Sequence, residues 1–295
     1  MDLRQLEYVV AVAEEGGFTA AAAAVNVAQP SLSQSVRALE AELGVELFHR
    51  VGRGVVLSAA GDAFVSAARQ VRRGVAELRD SVAAVRDVVA GTLDVAALPT
   101  LAVDPLAPLV GTFRRLHPGV IVRLVDPGDT GPAAYVRRGD AEIGMVELPV
   151  AGDLVTLPLG QQQLLAICSK GDGAGLGRVA PLSALAALPL VATPVGTSTR
   201  RVLDSALAAA GVEGRVAVEV DQREAVVPLV LAGAGISFVP AAQASGAALQ
   251  GACVVRPDPP LQRSIGLVHR DRRLSPAARA FVELATSGQP KRPVM

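Results

Sequence analysis

The sequence is poor in cysteine, histidine and lysine, and it has no excess of basic over acidic residues. It has two cysteines, Cys168 and Cys253, whose number and spacing exclude a disulfide framework and a cysteine-based metal site. Its 28 basic residues are balanced by 28 acidic ones, and only Lys170 and Lys291 are lysines. No apolar run of about 18 residues occurs, and no basic segment followed by an apolar core opens the chain. We therefore expect no membrane span and no signal peptide, and a protein located in the cytoplasm.

The sequence also lacks a recognisable catalytic or cofactor motif. Its three histidines, His49, His117 and His269, are scattered and complete no Ser/His/Asp order and no metal motif. The glycines of residues 171–177 lack the spacing of a dinucleotide-binding loop, so we predict a flexible surface loop there. We predict no catalytic residue, no bound metal and no cofactor. An enzyme or a binding protein of the α/β class is the less favoured alternative.

Residues 18–49 carry the most informative pattern in the chain. They predict a short helix, a tight turn at residues 25–28, and a second helix with Pro30 in its first turn, where a missing N–H group costs nothing. Asn26 suits the left-handed backbone that a tight turn needs. The second helix presents short hydrogen-bonding side chains outward near its N-terminus, which suits the major groove of DNA. Its apolar residues recur at helical spacing and are predicted to face inward: Leu32, Val36, Leu39 and Leu43.

This stretch resembles the winged helix-turn-helix of the LysR-type transcriptional regulators. The shared pattern consists of Phe18-Thr19, Ala22-Ala23, Gln29-Pro30-Ser31, Leu32-Ser33, Leu39-Glu40 and residues 43–48. Residues 50–61 resemble the two-stranded wing of that family and the start of its linker helix. The DNA-binding residues predicted from the helix and the wing are Gln29, Pro30, Ser31, Ser33, Gln34, Arg37, Arg50 and Arg53.

Charge alone does not predict DNA binding in this region. The first 58 residues contain four arginines and seven carboxylates, a net charge of −3, whereas nucleic-acid-binding domains usually carry a basic surface. Placement of the charges matters more, because Arg37 lies on the second helix and Arg50 and Arg53 lie in the segment that resembles the wing. The DNA-binding prediction therefore depends on the motif.

Residues 58–89 predict one long helix without proline. Its apolar residues form two rows with an interval of seven, alternating at spacings of four and three, which is the pattern of a coiled coil. A helix of this length needs a partner, so we predict a dimer; packing on the protein's own core is the alternative. The predicted dimer contacts are Phe64, Val71, Val75, Leu78, Val82 and Val85.

After Gly91 short apolar runs alternate with helical segments. This order predicts right-handed crossovers and parallel sheets. The predicted strands span residues 93–98, 120–125, 141–146, 164–168, 190–192, 216–220, 236–239 and 264–269. The family resemblance implies two lobes like those of a periplasmic binding protein, joined by two crossover strands.

The predicted fold class is therefore α/β, with an N-terminal all-α winged helix-turn-helix, a long linker helix and a two-lobed, periplasmic-binding-protein-like effector domain with parallel-type sheets. The predicted domains are the DNA-binding domain at 1–58, the linker helix at 59–90 and the effector-binding domain at 91–295. Within the last, lobe one would comprise 92–160 plus 268–286 and lobe two 161–267, followed by a frayed tail at 287–295.

Three loops satisfy the rule that ligands of α/β sheets bind beyond the carboxyl ends of strands, where helix N-termini offer N–H groups. The predicted effector-binding residues are Thr100, Leu101, Thr130, Gly131, Pro194, Gly196, Thr197 and Ser198. The ligand's anionic end is expected near Ser198, with Arg200 or Arg201 as the balancing charge, and with Thr100 and Thr130 facing it from the other lobe. The commoner role of each hydroxyl, capping its own helix, is the alternative.

These features predict a sequence-specific transcription regulator controlled by a small molecule. Its predicted partners are double-stranded operator DNA, a small-molecule effector, further copies of itself as a dimer of dimers, and RNA polymerase, with no membrane. The alternative is a regulator that senses redox state through the thiols of Cys168 and Cys253. Cys168 ends a predicted core strand, and buried cysteines are usually inert apolar residues.

Overall fold

The computed structural model of this protein describes residues 1–51, 54–84, 91–272 and 274–287. The predicted contacts Arg53 and Val85 lie outside these residues, and so do the side chains of Arg50 and Val82. The chain divides into two compact units. Unit 1 comprises residues 1–145, 152–155 and 268–295, and unit 2 comprises residues 146–151 and 156–267.

Unit 1 begins with three helices and a β-hairpin. These are α1 (Leu3–Glu15), α2 (Phe18–Ala24), α3 (Gln29–Leu43), and the antiparallel strands β1 (Phe48–Val51) and β2 (Gly54–Leu57). Asn26 has a φ of 58° in the turn between α2 and α3, and Pro30 lies in the first turn of α3, which confirms both predictions. The side chains of Leu32, Val36 and Leu39 are fully buried.

The prediction for Leu43 is wrong, because its side chain is 39% exposed. Leu43 is the last residue of α3, and Gly44 follows in the left-handed conformation with a φ of 71°. A residue in the last turn before such a chain reversal can fall at the rim of the core although it keeps the helical spacing.

The helix α4 (Ala59–Ala84) follows the hairpin and packs on α1. The Ser58 hydroxyl accepts a hydrogen bond from the Gly61 N–H at 2.9 Å and donates one to the Glu46 carbonyl at 2.7 Å, which fixes the start of the helix. Gly61 is needed here because a Cβ atom would lie 2.1 Å from the Leu47 carbonyl oxygen. Val65 and Ala68 bury their side chains in the core formed by α1–α3.

The rest of unit 1 is built around a parallel sheet. Its next elements are β3 (Gly91–Ala97), α5 (Pro99–Leu101), a wide helical turn at Ala102–Leu106, α6 (Ala107–Leu116), β4 (Val120–Val125), α7 (Gly131–Arg138) and β5 (Ile143–Leu148). The strand β3 pairs in parallel with β4 on one side and with β5 on the other. The strands β3 and β4 and their intervening helix confirm the predicted crossover order.

Unit 2 contains both parallel and antiparallel pairs. Its elements are β6 (Leu154–Cys168), β7 (Val179–Pro181), α8 (Leu182–Ala186), β8 (Leu190–Ala192), α9 (Ser198–Ala210), β9 (Val216–Glu219), α10 (Val226–Leu231), β10 (Ser237–Pro240), α11 (Ala241–Leu249), β11 (Cys253–Asp258) and β12 (Leu261–Arg270). β8 and β9 are parallel, as are β7 and β11. The strand β6 is antiparallel to both β10 and β11.

The strands β6 and β12 each begin in one unit and end in the other. The last helix, α12 (Pro276–Ser287), returns to unit 1, where Phe281 meets Phe113 edge to face with 5.2 Å between ring centroids. At its start the buried Glu142 carboxylate accepts hydrogen bonds from the N–H and hydroxyl of Ser275.

The predicted fold class is confirmed: an N-terminal winged helix-turn-helix is followed by a long helix and an α/β region with two crossover strands. Over the described part of the chain, no helix combines the length and the apolar character that crossing a membrane would require.

Candidate DNA-binding and effector sites

The helix α3 presents an exposed polar face at its N-terminal half. Gln29, Pro30, Ser31, Gln34 and Arg37 are exposed, and Ser33 is half-buried. The opposite face is the buried row that ends at Leu39, so the predicted DNA-binding residues of this helix share its solvent side.

The hairpin that follows α3 is fixed to the end of that helix. The Glu40 carboxylate accepts hydrogen bonds from the N–H groups of Leu47 at 2.8 Å and Phe48 at 3.4 Å. The Phe48 ring packs edge to face on Phe18 of α2, with 5.8 Å between centroids. In β1 the backbone of Arg50 pairs with Val55, so the predicted wing residue Arg50 lies in the hairpin.

The predicted dimer row of α4 has two different environments. Phe64 packs against the core of α1–α3, and Val75 is half-buried. Val71 is 45% exposed and Leu78 is 67% exposed. The first turns of α4 thus face their own DNA-binding domain, whereas the middle of the helix presents apolar side chains outward.

The predicted effector residues of unit 1 differ in accessibility. Thr100 is half-buried, and Thr130 is exposed with its hydroxyl donating to the Pro127 carbonyl at 2.7 Å. Gly131 begins α7 with a φ of 73°. The side chain of Leu101 is fully buried in the apolar interior of unit 1, so it offers no surface to a ligand.

The predicted effector residues of unit 2 form the turn before α9. Thr197 is the N-cap residue, but its side chain does not cap the helix. Its hydroxyl instead donates to the Pro194 carbonyl at 2.9 Å and lies 2.7 Å from the Thr193 hydroxyl. Gly196 is exposed, with a φ of 92°. The N–H groups of the first turn of α9 therefore have no side-chain cap, as an anion-binding helix terminus requires.

Ser198 is part of a charged cluster that the sequence did not predict. Its hydroxyl donates to Glu147 and accepts a hydrogen bond from Arg263. Arg263 also donates from Nε to the Gln162 side-chain oxygen at 2.9 Å, and Arg201 donates to the Glu147 carboxylate at 3.1 Å. All these residues belong to unit 2. We call Glu147, Gln162, Ser198, Arg201 and Arg263 the arginine cluster.

Arg263 is the deepest member of this cluster, with 3% of its surface exposed. Burial lowers the pKa of its guanidinium, the carboxylate of Glu147 opposes that effect, and the positive charge of Arg201 adds to it. An arginine stays protonated at neutral pH. Glu147 therefore supplies the negative charge that balances a buried cation.

The carboxylate of Glu147 thus occupies the position that sequence analysis assigned to the ligand's anionic end. Both arginines proposed as the balancing charge already have acidic partners. Arg201 lies 3.1 Å from Glu147, and Arg200 lies 2.9 Å from Asp204 and 3.5 Å from Glu219. Glu147 directly follows the predicted strand 141–146. The rule that ligands bind beyond the carboxyl ends of strands could therefore have identified it as a site residue. Arg263 could have been found as the charged residue directly before the apolar run 264–269.

Comparison with known proteins identifies the family. Residues 3–62 match the profile described as "Bacterial regulatory helix-turn-helix protein, lysR family", and residues 86–289 match "LysR substrate binding domain". The chain belongs to the LysR family of transcriptional regulators. The second match alone spans more than half of the chain.

Relatives with this LysR architecture match along their whole length. The HTH-type transcriptional regulator IlvR of Caulobacter vibrioides is 31% identical over 97% of this chain and 98% of its own. The regulator TfdS of Cupriavidus pinatubonensis is 30% identical over 98% of this chain and 99% of its own. A crystal structure of full-length CbnR with its target DNA covers 97% of this chain and 99% of its own, with 28% identity and a TM-score of 0.73.

The LysR assignment confirms the predicted class of function. The chain is a DNA-binding transcription regulator with an effector-binding domain, and not an enzyme. Its partners include operator DNA and a small-molecule effector.

Proposed function

We propose that the regulator reads its operator with the exposed face of α3. The observation that supports this is the separation of that helix into a buried apolar row and an exposed row that contains Gln29 and Gln34. Glutamine side chains pair with adenine through two hydrogen bonds, and serine hydroxyls contact several bases. The CbnR structure contains the target DNA of a relative with the same fold. Arg53, in the sequence segment of the wing, would contact the backbone or the minor groove.

The proposal is tested by footprinting the DNA upstream of the regulator's own gene. The purified protein should protect a defined segment there at a concentration that leaves random DNA unprotected. Equal protection of unrelated DNA would contradict sequence-specific reading.

The same proposal includes a dimer formed through α4. Leu78 and Val71 expose apolar side chains in the middle of a 26-residue helix, and a partner helix would remove them from water. Two DNA-binding domains would then contact successive major grooves about 34 Å apart. Two such dimers would form the tetramer, and RNA polymerase would be the further partner at the promoter.

The effector is proposed to be a small anion that binds at the first turn of α9. Uncapped N–H groups, the Ser198 hydroxyl and the guanidinium of Arg263 all favour a negative charge there, and Glu147 supplies one in the structure. The ligand's anionic group would replace the carboxylate of Glu147 at Ser198. The contribution of Thr100 and Thr130 stays a sequence-based prediction.

Glu147 offers a test of this site. In Glu147→Gln the competing negative charge is removed while the side-chain shape is kept, so small carboxylates should bind more tightly. A thermal-shift screen with a library of metabolite carboxylates should give larger stabilisation of Glu147→Gln than of the native protein. Asp153→Asn, which changes a carboxylate that is 84% exposed, is the matched control. An identical response of all three proteins would place the effector elsewhere.

A further inference from the structure

The two cysteines, 85 residues apart in sequence, face each other across two strands of unit 2. Cys168 is the last residue of β6 and Cys253 is the first residue of β11, and the two are direct partners in the antiparallel register. Directly opposite residues in such a pair have Cβ atoms about 4.5–5.5 Å apart, close to the separation of a disulfide.

Contacts around Gly173 show that the sulfur atoms themselves are close. A Cβ atom on Gly173 would lie 3.1 Å from each sulfur, which places the two sulfur atoms within twice that distance of each other. The Cys168 thiol also donates to the carbonyl oxygen of Cys253 at 3.7 Å. Both cysteines are unbonded thiols in this structure.

Gly173 of the glycine-rich segment 171–177 lies against this pair, which gives the segment a role that the sequence did not predict. It follows Ser169, whose carbonyl accepts from the Gly173 N–H at 2.9 Å and whose hydroxyl donates to Asp172 at 2.8 Å. Gly173 lies against both sulfur atoms, where a methyl group would press on Cys253 Cβ at 3.0 Å. The absence of a side chain at Gly173 therefore keeps the backbone turn close to both thiols.

The two thiols differ in accessibility. Cys168 is 1% exposed, whereas Cys253 is half-buried. Burial also raises the pKa of the Cys168 thiol to about 11, with smaller contributions from Cys253 and Asp172. A reagent in solution should thus react with Cys253 first. Cys168 should react only with a group that is already bound to Cys253.

We propose that Cys253 is a site of modification by low-molecular-weight disulfides and that Cys168 resolves the adduct into a Cys168–Cys253 disulfide. In the first step the Cys253 thiolate attacks one sulfur of a disulfide such as oxidised glutathione, and one glutathione thiol leaves. In the second step Cys168 loses its proton and attacks Cys253 Sγ, and the second glutathione leaves. The two cysteines are oxidised by two electrons, and the glutathione disulfide is reduced to two thiols.

This proposal is tested by treating the native full-length chain with oxidised glutathione and measuring its intact mass after an acid quench. Because the chain has two cysteines, thiol counting is unambiguous. The native protein should lose two hydrogen atoms and both free thiols, and a digest should contain one linked peptide with Cys168 and Cys253. Dithiothreitol should restore both thiols.

Two variants separate the steps. Cys168→Ala should accumulate a stable glutathione adduct on Cys253, and Cys253→Ala should keep its Cys168 thiol free under the same treatment. A native protein that retains a stable adduct, forms a disulfide between two chains, or does not react would overturn the proposal.

Discussion

Arg69 of the long helix α4 and Asp140 of the segment after α7 form an ion pair of 3.2 Å in unit 1. The same guanidinium lies 3.2 Å from Glu14 of α1. Arg69 therefore contacts both α1 of the DNA-binding domain and the segment after α7 in the effector-binding domain. Two hydrogen bonds from Ser66 and Gln70 to the Arg138 carbonyl add to this attachment. The linker helix is held to its own effector domain as well as to its own DNA-binding domain.

We expect the Arg69–Asp140 pair to contribute measurably to stability, since the Asp140 side chain is 7% exposed. A double-mutant cycle with Arg69→Ala and Asp140→Ala should give a coupling free energy of about 1 kcal/mol in urea unfolding. The control pair Arg137 and Asp153, whose carboxylate is 84% exposed, should give a coupling near zero. A zero coupling for both pairs would show that Arg69 does not hold the linker.

We expect Gln29→Ala and Gln34→Ala to weaken binding to the cognate operator by roughly 1–3 kcal/mol and to leave binding to random DNA almost unchanged. The reason is that each change removes hydrogen bonds to base edges and no charge. Gel-shift titrations provide the measurement, with Gln222→Ala, an exposed glutamine of unit 2, as the control. Arg53→Ala should instead weaken binding to every sequence and reduce the salt dependence. Unchanged operator binding in both glutamine variants would refute the assignment of α3.

We expect Leu78→Asp to dissociate the dimer. The substitution would bury an unpaired carboxylate between two helices, at a cost of several kcal/mol. Sedimentation at micromolar concentration is the measurement. Leu249→Asp is the matched control, because Leu249 is 92% exposed on α11 and should tolerate the charge without a change of mass. If Leu78→Asp sedimented like the native protein, association would have to use another surface.

The pKa of Cys168 predicts a loss of stability in alkali. Burial raises the pKa of this thiol from 9.0 to about 11, so the folded state holds the proton more tightly than the unfolded chain does. The contribution of the neutral Cys168 thiol to the free energy of unfolding is fully present below pH 9 and is lost as the pH rises towards 11. Under reducing conditions, the urea midpoint of the native protein should fall more steeply over that range than the midpoint of Cys168→Ala. Parallel curves would mean that the thiol is not held neutral by the fold.

The sequence predicted those elements that carry a strong local signal. Asn26 and Pro30 define the turn and the start of α3 through their own backbone preferences. The strands of unit 1 stand out as apolar runs between helices. In contrast, α11 was missed because its segment Ala241–Leu249 is rich in alanine and has little contrast between its faces. β11 was missed because Arg256, Pro257 and Asp258 interrupt its apolar run after Val255.

The arginine cluster and the proximity of the two cysteines were not predicted, for a different reason. Glu147, Ser198 and Arg263 come from three distant segments, and only the fold brings them together. Cys168 and Cys253 likewise become neighbours through the antiparallel pairing of β6 with β11, which the sequence had not predicted. Local periodicity predicts elements, whereas contacts between distant polar residues depend on strand order.

Selection from a random pool of double-stranded DNA tests the central claim most directly. The native protein should enrich a two-fold related site whose half-sites are spaced by about one helical turn or a multiple of it. The Gln29→Ala, Gln34→Ala double variant should lose that enrichment although it still binds the pool weakly. A native protein that enriched no sequence, or a double variant that enriched the same site equally well, would contradict sequence reading by α3.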